Sequence, residues 1–410
     1  MAKLKDSGVS YIGDIPISWY TKKVKYVAVE CSENGLMDPE ESQYIGLENV
    51  AGYSNEIITT DTEYELSIQK KCYKDNILFG KLRPYLSKVV IVPYDGFCTG
   101  EFLELTKYIG DVRFLRYSLL NANLIDTVNM STYGAKMPRV NSEFIMNCHI
   151  AYPTYNEQKI IADFLDAKCA EIDALSKDIQ AEIDILEEYK RSVITEKVTK
   201  GLKPDVAMRD SGIEWLGEIP DMWKLSRIGS VYKLRNVKVS DKDYPPLSVT
   251  NKGVVPQLQS AAKTNAHDDR KLVKKGDFAI NSRSDRRGSC GISSYDGSVS
   301  LINTILAPLG EMNPRFYDWL FHTVQFGDEF YKWGHGIVND LWTTNWKDMK
   351  KITIPMPDLD EQEKIATFLD AKCAEIDYII ETKKAQLTVL DEYKKAIIYE
   401  YVTGKKEVTV

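Results

Sequence analysis

The ten residues Phe164-Leu165-Asp166-Ala167-Lys168-Cys169-Ala170-Glu171-Ile172-Asp173 recur without change as Phe368 to Asp377, 204 residues further along the chain. The same spacing separates a second pair of blocks: Asp6-Ser7-Gly8 with Gly13, Ile15, Pro16 and Trp19 returns as Asp210-Ser211-Gly212 with Gly217, Ile219, Pro220 and Trp223. Two blocks in one order at one spacing define a tandem duplication, which any fold must honour. Between them, at residues 25 to 150 and 229 to 350, the copies diverge almost completely at nearly equal length. A framework is duplicated and its inserts differ.

The later block is helical in its periodicity. Ile161, Leu165, Lys168, Ile172, Leu175, Ile179, Leu186, Tyr189 and Val193 follow alternating steps of four and three, with one turn skipped at Glu182. Ile365, Leu369, Lys372, Ile376, Ile379, Leu390, Tyr393 and Ile397 repeat the pattern around polar Lys383 and Gln386. This is a heptad seam. Thr154 with Glu157, and Asp358 with Glu361, stand at capping spacing after Pro153 and Pro357, and Gly201 and Gly404 follow the last periodic residues. A helix of about 43 residues is roughly 65 Å long, and a lone exposed rod of that length has nothing to cover its seam. Each helix packing only on its own domain is one solution. Two copies of one seam favour another, an antiparallel pair with internal pseudo-twofold symmetry, which leaves Glu188, Lys190, Glu392 and Lys394 off the seam as solvated charge.

A chain of 410 residues is long enough for two cores, and its 43% hydrophobic and 28% charged content is that of a folded protein. It shows no apolar run near the ~20 residues of a membrane helix. Met1 to Ser10 lacks the apolar core of a secretory signal, so the cytoplasm is the expected location. Cys31, Cys72, Cys98, Cys148, Cys169, Cys290 and Cys373 are scattered with no C-x-x-C pair, which indicates buried free thiols rather than disulfides or a zinc knuckle. A net charge of −7 excludes a protein that coats nucleic acid indiscriminately, because nonspecific affinity scales with the phosphates neutralised. Contact with DNA has to come from a few concentrated segments.

Each insert mixes β-like runs, such as Val89 to Val92 and Lys351 to Pro355, with turns at Asp95-Gly96 and Asp296-Gly297 and short helices such as the one opened by Asn313-Pro314. An α+β globule is expected. In the first insert Lys81, Arg83, Tyr85 and Lys88 form a basic, aromatic loop between apolar runs. Arg283, Ser284, Arg286 and Arg287 stand at the corresponding place in the second, as Tyr94-Asp95-Gly96 and Tyr295-Asp296-Gly297 help to show. Arginine pairs bidentately with guanine edges, and Ser, Asn and Lys add base or phosphate contacts, so such loops suit the reading of double-stranded DNA in its major groove. A second loop in each copy carries Tyr133, Lys136 and Arg139, against His335 and Asn339. Tight turns closing each domain explain these loops equally well.

Catalytic motifs are missing. Asn313-Pro314-Arg315-Phe316 only superficially resembles the Asn/Asp-Pro-Pro-aromatic motif of an amino-methyltransferase, and no glycine-rich cofactor loop accompanies it. Glu157-Gln158-Lys159 suggests a nuclease, but Glu361-Gln362-Glu363 breaks the motif, and a helix start explains both. His149, His267, His322 and His335 show no ligand or triad spacing, and there is no phosphate-binding loop. The isolated chain is expected not to be an enzyme and to need no cofactor.

With its D-S-G…G-x-I-P-x-x-W blocks at Asp6 and Asp210 and its E-Q…I-A-x-F-L-D blocks at Glu157 and Glu361, the chain resembles the specificity subunit of type I restriction-modification systems over essentially its full length. The resemblance implies a first target recognition domain at residues 1–152, a spacer helix at 153–202, a second domain at 203–356 and a second helix at 357–404. It implies that each domain reads one half of a bipartite, asymmetric DNA site, and that the paired helices set the gap. It further implies docking of two modification subunits, which bind S-adenosylmethionine and methylate a flipped adenine, and of restriction subunits that use ATP and Mg. A rival reading is a coiled-coil scaffold that joins protein subunits without reading DNA.

Overall fold

The computed structural model describes residues 3–38, 40, 42–60, 66–258, 268–283, 288–336 and 342–408. The chain forms two compact units that divide it after Gln180 and after Lys383, so each unit holds one insert and part of both long helices.

In the first unit an antiparallel sheet runs in the order Val29–Cys31, Phe102–Thr106, Ile77–Gly80, Val89–Ile91. A second sheet is built from Asn34–Met37, Ser67–Cys72, Gly96–Cys98 and Tyr44–Ile45. Three helices, Val112–Leu119, Ala122–Met130 and Ser142–Asn147, lead to strand His149–Tyr152, which pairs with Tyr20–Lys23. Alternate residues of the central strands serve two cores, as the two-residue period of a strand requires. Ile77, Phe79, Leu103 and Leu105 face the helical core, whereas Leu78, Val90 and Phe102 face the second sheet.

The second unit repeats this plan with unrelated side chains. Its main sheet runs Tyr232–Leu234, Asn303–Pro308, Phe278–Asn281, Cys290–Ile292. Helices Pro314–Phe321, Val324–Lys332 and Trp346–Met349 lead to strand Thr353–Met356, paired with Lys224–Arg227. Loop bonds repeat as well: Lys74 N donates to Asp95 Oδ1 at 2.8 Å and Lys275 N to Asp296 Oδ1 at 2.7 Å. The main sheet is therefore one topology written in two sequences, whereas the second sheet has four strands in the first unit and three in the second, beside a separate hairpin of Leu247–Thr250 and Gly253–Pro256.

The long helices span Tyr155–Lys200 and Leu359–Val402. Thr154 and Glu157 form the expected capping box, and Glu361 N donates to Asp358 Oδ1 at 2.8 Å. The seam itself is rotated from the sequence reading. Cys169, Ser176, Ile183 and Lys190 turn inward with Leu165, Ile172, Ile179, Leu186 and Val193, while Leu175 and Tyr189 are each 47% exposed. The inward set keeps steps of four and three without a skipped turn, because Ile183, only 2% exposed, fills the place assigned to Glu182. Leu369, Cys373, Ile376, Ile380, Lys383, Leu387, Leu390, Lys394 and Ile397 repeat it. Positions seven apart were read correctly, and the alternates between them were one residue early.

Within the first unit the start of the first helix lies against the end of the second, antiparallel, with Ile161, Leu165, Cys169 and Ile172 sharing a core with Ile397, Ile398 and Val402. Phe164 meets Tyr401 at 4.4 Å between ring centroids. The second unit mirrors this, joining Val193, Ile194 and Val198 to Ile365, Leu369 and Cys373. Lys394 donates to Asp173 at 2.6 Å in one unit and Lys190 to Asp377 at 2.7 Å in the other, positions 204 residues apart on both sides. Lys190 and Lys394 are thus seam residues and not the solvated charges the sequence pattern suggested.

Six cysteines are buried free thiols and Cys31 is half-buried; desolvation raises the Cys148 thiol to about 11. No helix among the described residues is long and apolar enough to cross a membrane.

Lys394 is 5% exposed, so its ammonium depends on Asp173. Asp173→Ala should destabilise the protein by about 1–3 kcal/mol, more than Lys394→Met, which removes the buried charge and keeps its stem. Thermal unfolding of both variants checks this; equal effects would mean the pair is solvent-like.

Candidate DNA interface

Each insert is bolted to the head of a long helix by the same bonds. Trp19 Nε1 donates to Glu157 Oε1 at 3.1 Å, and Trp223 Nε1 to Glu361 Oε2 at 2.8 Å. The buried amide of Gln158 donates to Pro153 O and accepts from Asp111 N at 3.1 Å, and that of Gln362 donates to Pro357 O and accepts from Asn313 N at 2.9 Å. Asp111 and Asn313 in turn cap the helices Val112–Leu119 and Pro314–Phe321. Arg113 reaches Asp163 and Asp166, and Arg315 reaches Asp370 and Thr367. Tyr117 OH and Trp319 Nε1 donate to Asp166 and Asp370, each at 2.8 Å. Glu157-Gln158 and Glu361-Gln362 are helix starts, as the sequence comparison indicated, and they also grip the insert.

The two candidate loops of the first insert are brought together at one edge. Leu82 and Tyr133 both form bridges with Arg139, Val140 N donates to Lys81 O at 3.0 Å, and Arg83 N donates to Pro138 O at 2.7 Å. Arg83, Tyr85, Tyr133, Lys136 and Arg139 are exposed. Lys81 is half-buried, and desolvation followed by neighbouring Lys70 lowers its pKa. Lys88 turns inward and donates to Leu47 O, bracing the loop from beneath. Arg83 and Ser87 flank the turn Pro84–Leu86 with φ of 50° and 52°. A left-handed non-glycine residue costs about 1–2 kcal/mol, so the bonds around the turn hold it in a strained shape.

The second insert has the same join. Arg283 and His335 both form bridges with Thr343, and Thr344 N donates to Ser282 O at 3.0 Å. Arg283 and His335 are exposed, and His335 Nε2 lies 3.3 Å from Asp348 Oδ2. Ser284, Arg286, Arg287 and Asn339, together with His267, lie outside the described residues.

The model for the type I restriction modification DNA specificity domain matches the chain twice, at residues 19–184 and 220–389. The chain belongs to this family. The MjaX type I restriction enzyme specificity subunit of Methanocaldococcus jannaschii, as that protein is designated, is 25% identical over 96% of this chain and 95% of its own. The MjaVIII specificity subunit of the same organism is 25% identical over 74% of this chain and 72% of its own. A chain from a structure of type I R-M system assembly superposes with a TM-score of 0.73 at 16% identity, covering 96% of this chain and 99% of that one. The HsdS subunit of Thermoanaerobacter tengcongensis superposes with a TM-score of 0.51 at 17% identity, over 96% and 98%. The chain is a type I restriction-modification specificity subunit with two DNA specificity domains.

Beneath the loops of this specificity subunit lies a pair of lysines that pattern reading missed. Lys70 donates to Phe102 O at 3.3 Å, and Lys271 to Asn303 O at 2.7 Å, from the matching strand of each unit. Registering the inserts on Tyr94-Asp95-Gly96 and Tyr295-Asp296-Gly297, a spacing of 201, aligns the two. Among the described residues no cluster of His, Cys, Asp or Glu could hold a metal ion.

Gln158→Leu strands Asp111 N inside the protein and should destabilise the first unit by about 2–4 kcal/mol. Amide exchange at residues 108–113 should rise selectively; uniform protection across that stretch would show that Gln158 does not fasten the insert.

Proposed function

We propose that each recognition domain reads one half of a bipartite, asymmetric DNA site through the edge where its two loops meet, and that the paired helices fix the gap between the halves. The observation that carries this reading is one framework, repeated down to its clamping bonds, that presents two chemically different loop edges. A symmetric dimer reads a palindrome, whereas a fused pseudo-dimer with unlike heads can read two unrelated halves. Arg83, Tyr85, Tyr133, Lys136 and Arg139 make the contacts of the first head, with Lys81 and Lys88 supporting the loop. Arg283, Ser284, Arg286, Arg287, His335 and Asn339 serve the second.

The exposed apolar side chains Ile185, Tyr189 and Tyr378, and Leu175, Val389 and Tyr393, supply the surface on which two modification subunits dock. Methyl transfer from S-adenosylmethionine, and ATP- and Mg-dependent restriction, belong to partner subunits. The chain itself performs no catalysis, and the complex works on double-stranded DNA in the cytoplasm.

Inserting one matched heptad into both long helices lengthens the spacer by about 10 Å, or about 3 base pairs. Sequencing of methylated sites from cells carrying the variant and its modification subunit should show the same two half-sites with a wider gap. An unchanged gap would count against the helices as spacers.

A further inference from the structure

We propose that Glu101 is a positioning residue that holds Arg139 in place as a guanine-reading side chain of the first recognition domain. The inference rests on the DNA-reading function above and names a base contact and its support.

Arg139 is fixed by its backbone before its side chain is considered. Its N–H and C=O each bond Tyr133 at 3.0 Å, the bridge to Leu82 lies on its other side, and the bonds at Pro138 and Val140 tie its neighbours to the 81–83 loop. The residue sits where both loops converge. From there its Nη2 donates to Glu101 Oε1. The carboxylate is the inner partner of the pair, with its side chain 26% exposed against 45% for the arginine. The second oxygen, Glu101 Oε2, is shut off from solvent and has no hydrogen-bond partner among the described residues. Glu101 is itself anchored, since its carbonyl accepts from Lys81 N at 2.9 Å.

An exposed arginine normally spreads over many rotamers, and ordering it on DNA costs side-chain entropy. Here one end of the planar guanidinium is tied down. The other donors have no hydrogen-bond partner among the described residues, and the side chain as a whole is exposed. A fork held at one end and open at the other can donate twice to O6 and N7 of guanine. The carboxylate argues for a base over a phosphate. A negative charge just behind the cation weakens attraction to a phosphate through direct repulsion, but it leaves hydrogen bonding to a neutral base edge intact.

The second domain lacks both members together. The bond Lys81 N to Glu101 O is matched by Ser282 N to Ile302 O at 3.2 Å, which places Ile302 where Glu101 stands. Thr343 occupies the bridge position of Arg139. At these two positions neither domain keeps one member of the pair without the other, as expected if the pair acts as one reading unit and the two heads read different bases.

The test is the methylated motif of the complete specificity subunit expressed with its modification subunit. Arg139→Ala should lose discrimination for guanine at one position of one half-site, by roughly 5- to 150-fold. Arg139→Lys, which keeps the charge without the fork, should lose it at the same position. Glu101→Gln should broaden that position alone, leaving the other half-site and the melting temperature unchanged. Broadening elsewhere, no broadening, or a uniform loss with a salt slope shallower by about 0.9 would overturn the proposal, the last by assigning Arg139 to a phosphate. Exchanging the whole first insert is the control. If the motif survives that exchange, the DNA-reading function fails; if the motif changes but Glu101→Gln does not broaden it, the buttress alone fails.

Discussion

The architecture depends on one strip of packing, the inward face of each long helix. Leu165, Cys169, Ile172 and their counterparts Leu369, Cys373 and Ile376 lie at heptad spacing and are almost fully buried. Neither helix could exist as a bare rod of that length, since its stability comes from covering an apolar face rather than from intrinsic propensity. The ion pairs Asp173–Lys394 and Asp377–Lys190 add register to this packing, most firmly at Lys394, because a buried charge tolerates only the alignment that gives it a partner.

Function follows from what is attached to that strip and how firmly. The bonds that join insert to helix, from Trp19 to Glu157 and from Gln158 to Asp111, recur from Trp223 to Glu361 and from Gln362 to Asn313. They use side chains of the duplicated blocks on the helix side. The loops at the far edge of each insert are free to differ, since nothing in the shared core depends on whether position 139 is arginine or its counterpart 343 is threonine. A duplicated frame with unlike tips fits the proposed reading of two different half-sites.

Much of this was legible in the residues. The 204-residue repeat gave two units, the caps gave the helix starts, and the Tyr-Asp-Gly pairs gave the correspondence of the basic loops. Pattern reading went astray where two positions compete for one face. Lys168, Leu175 and Tyr189 look as well suited to the seam as Cys169, Ser176 and Lys190, and three-dimensional packing selects the latter. Lys190 and Lys394 were misjudged for the same reason, because a charge that finds a carboxylate across the seam can be buried, and sequence does not show what lies across. The buried Lys70, the half-buried Lys271 and the Glu101–Arg139 pair depend on contacts between strands far apart in the chain, which no local period encodes.

In the proposed function a common frame carries two independent readers. Replacing the second insert, residues 229 to 350, with a copy of the first, residues 25 to 150, and sequencing the methylated sites tests it most directly. The asymmetric motif should become an inverted repeat of one original half-site with the gap unchanged. Persistence of the original motif, or a direct repeat in its place, would contradict it.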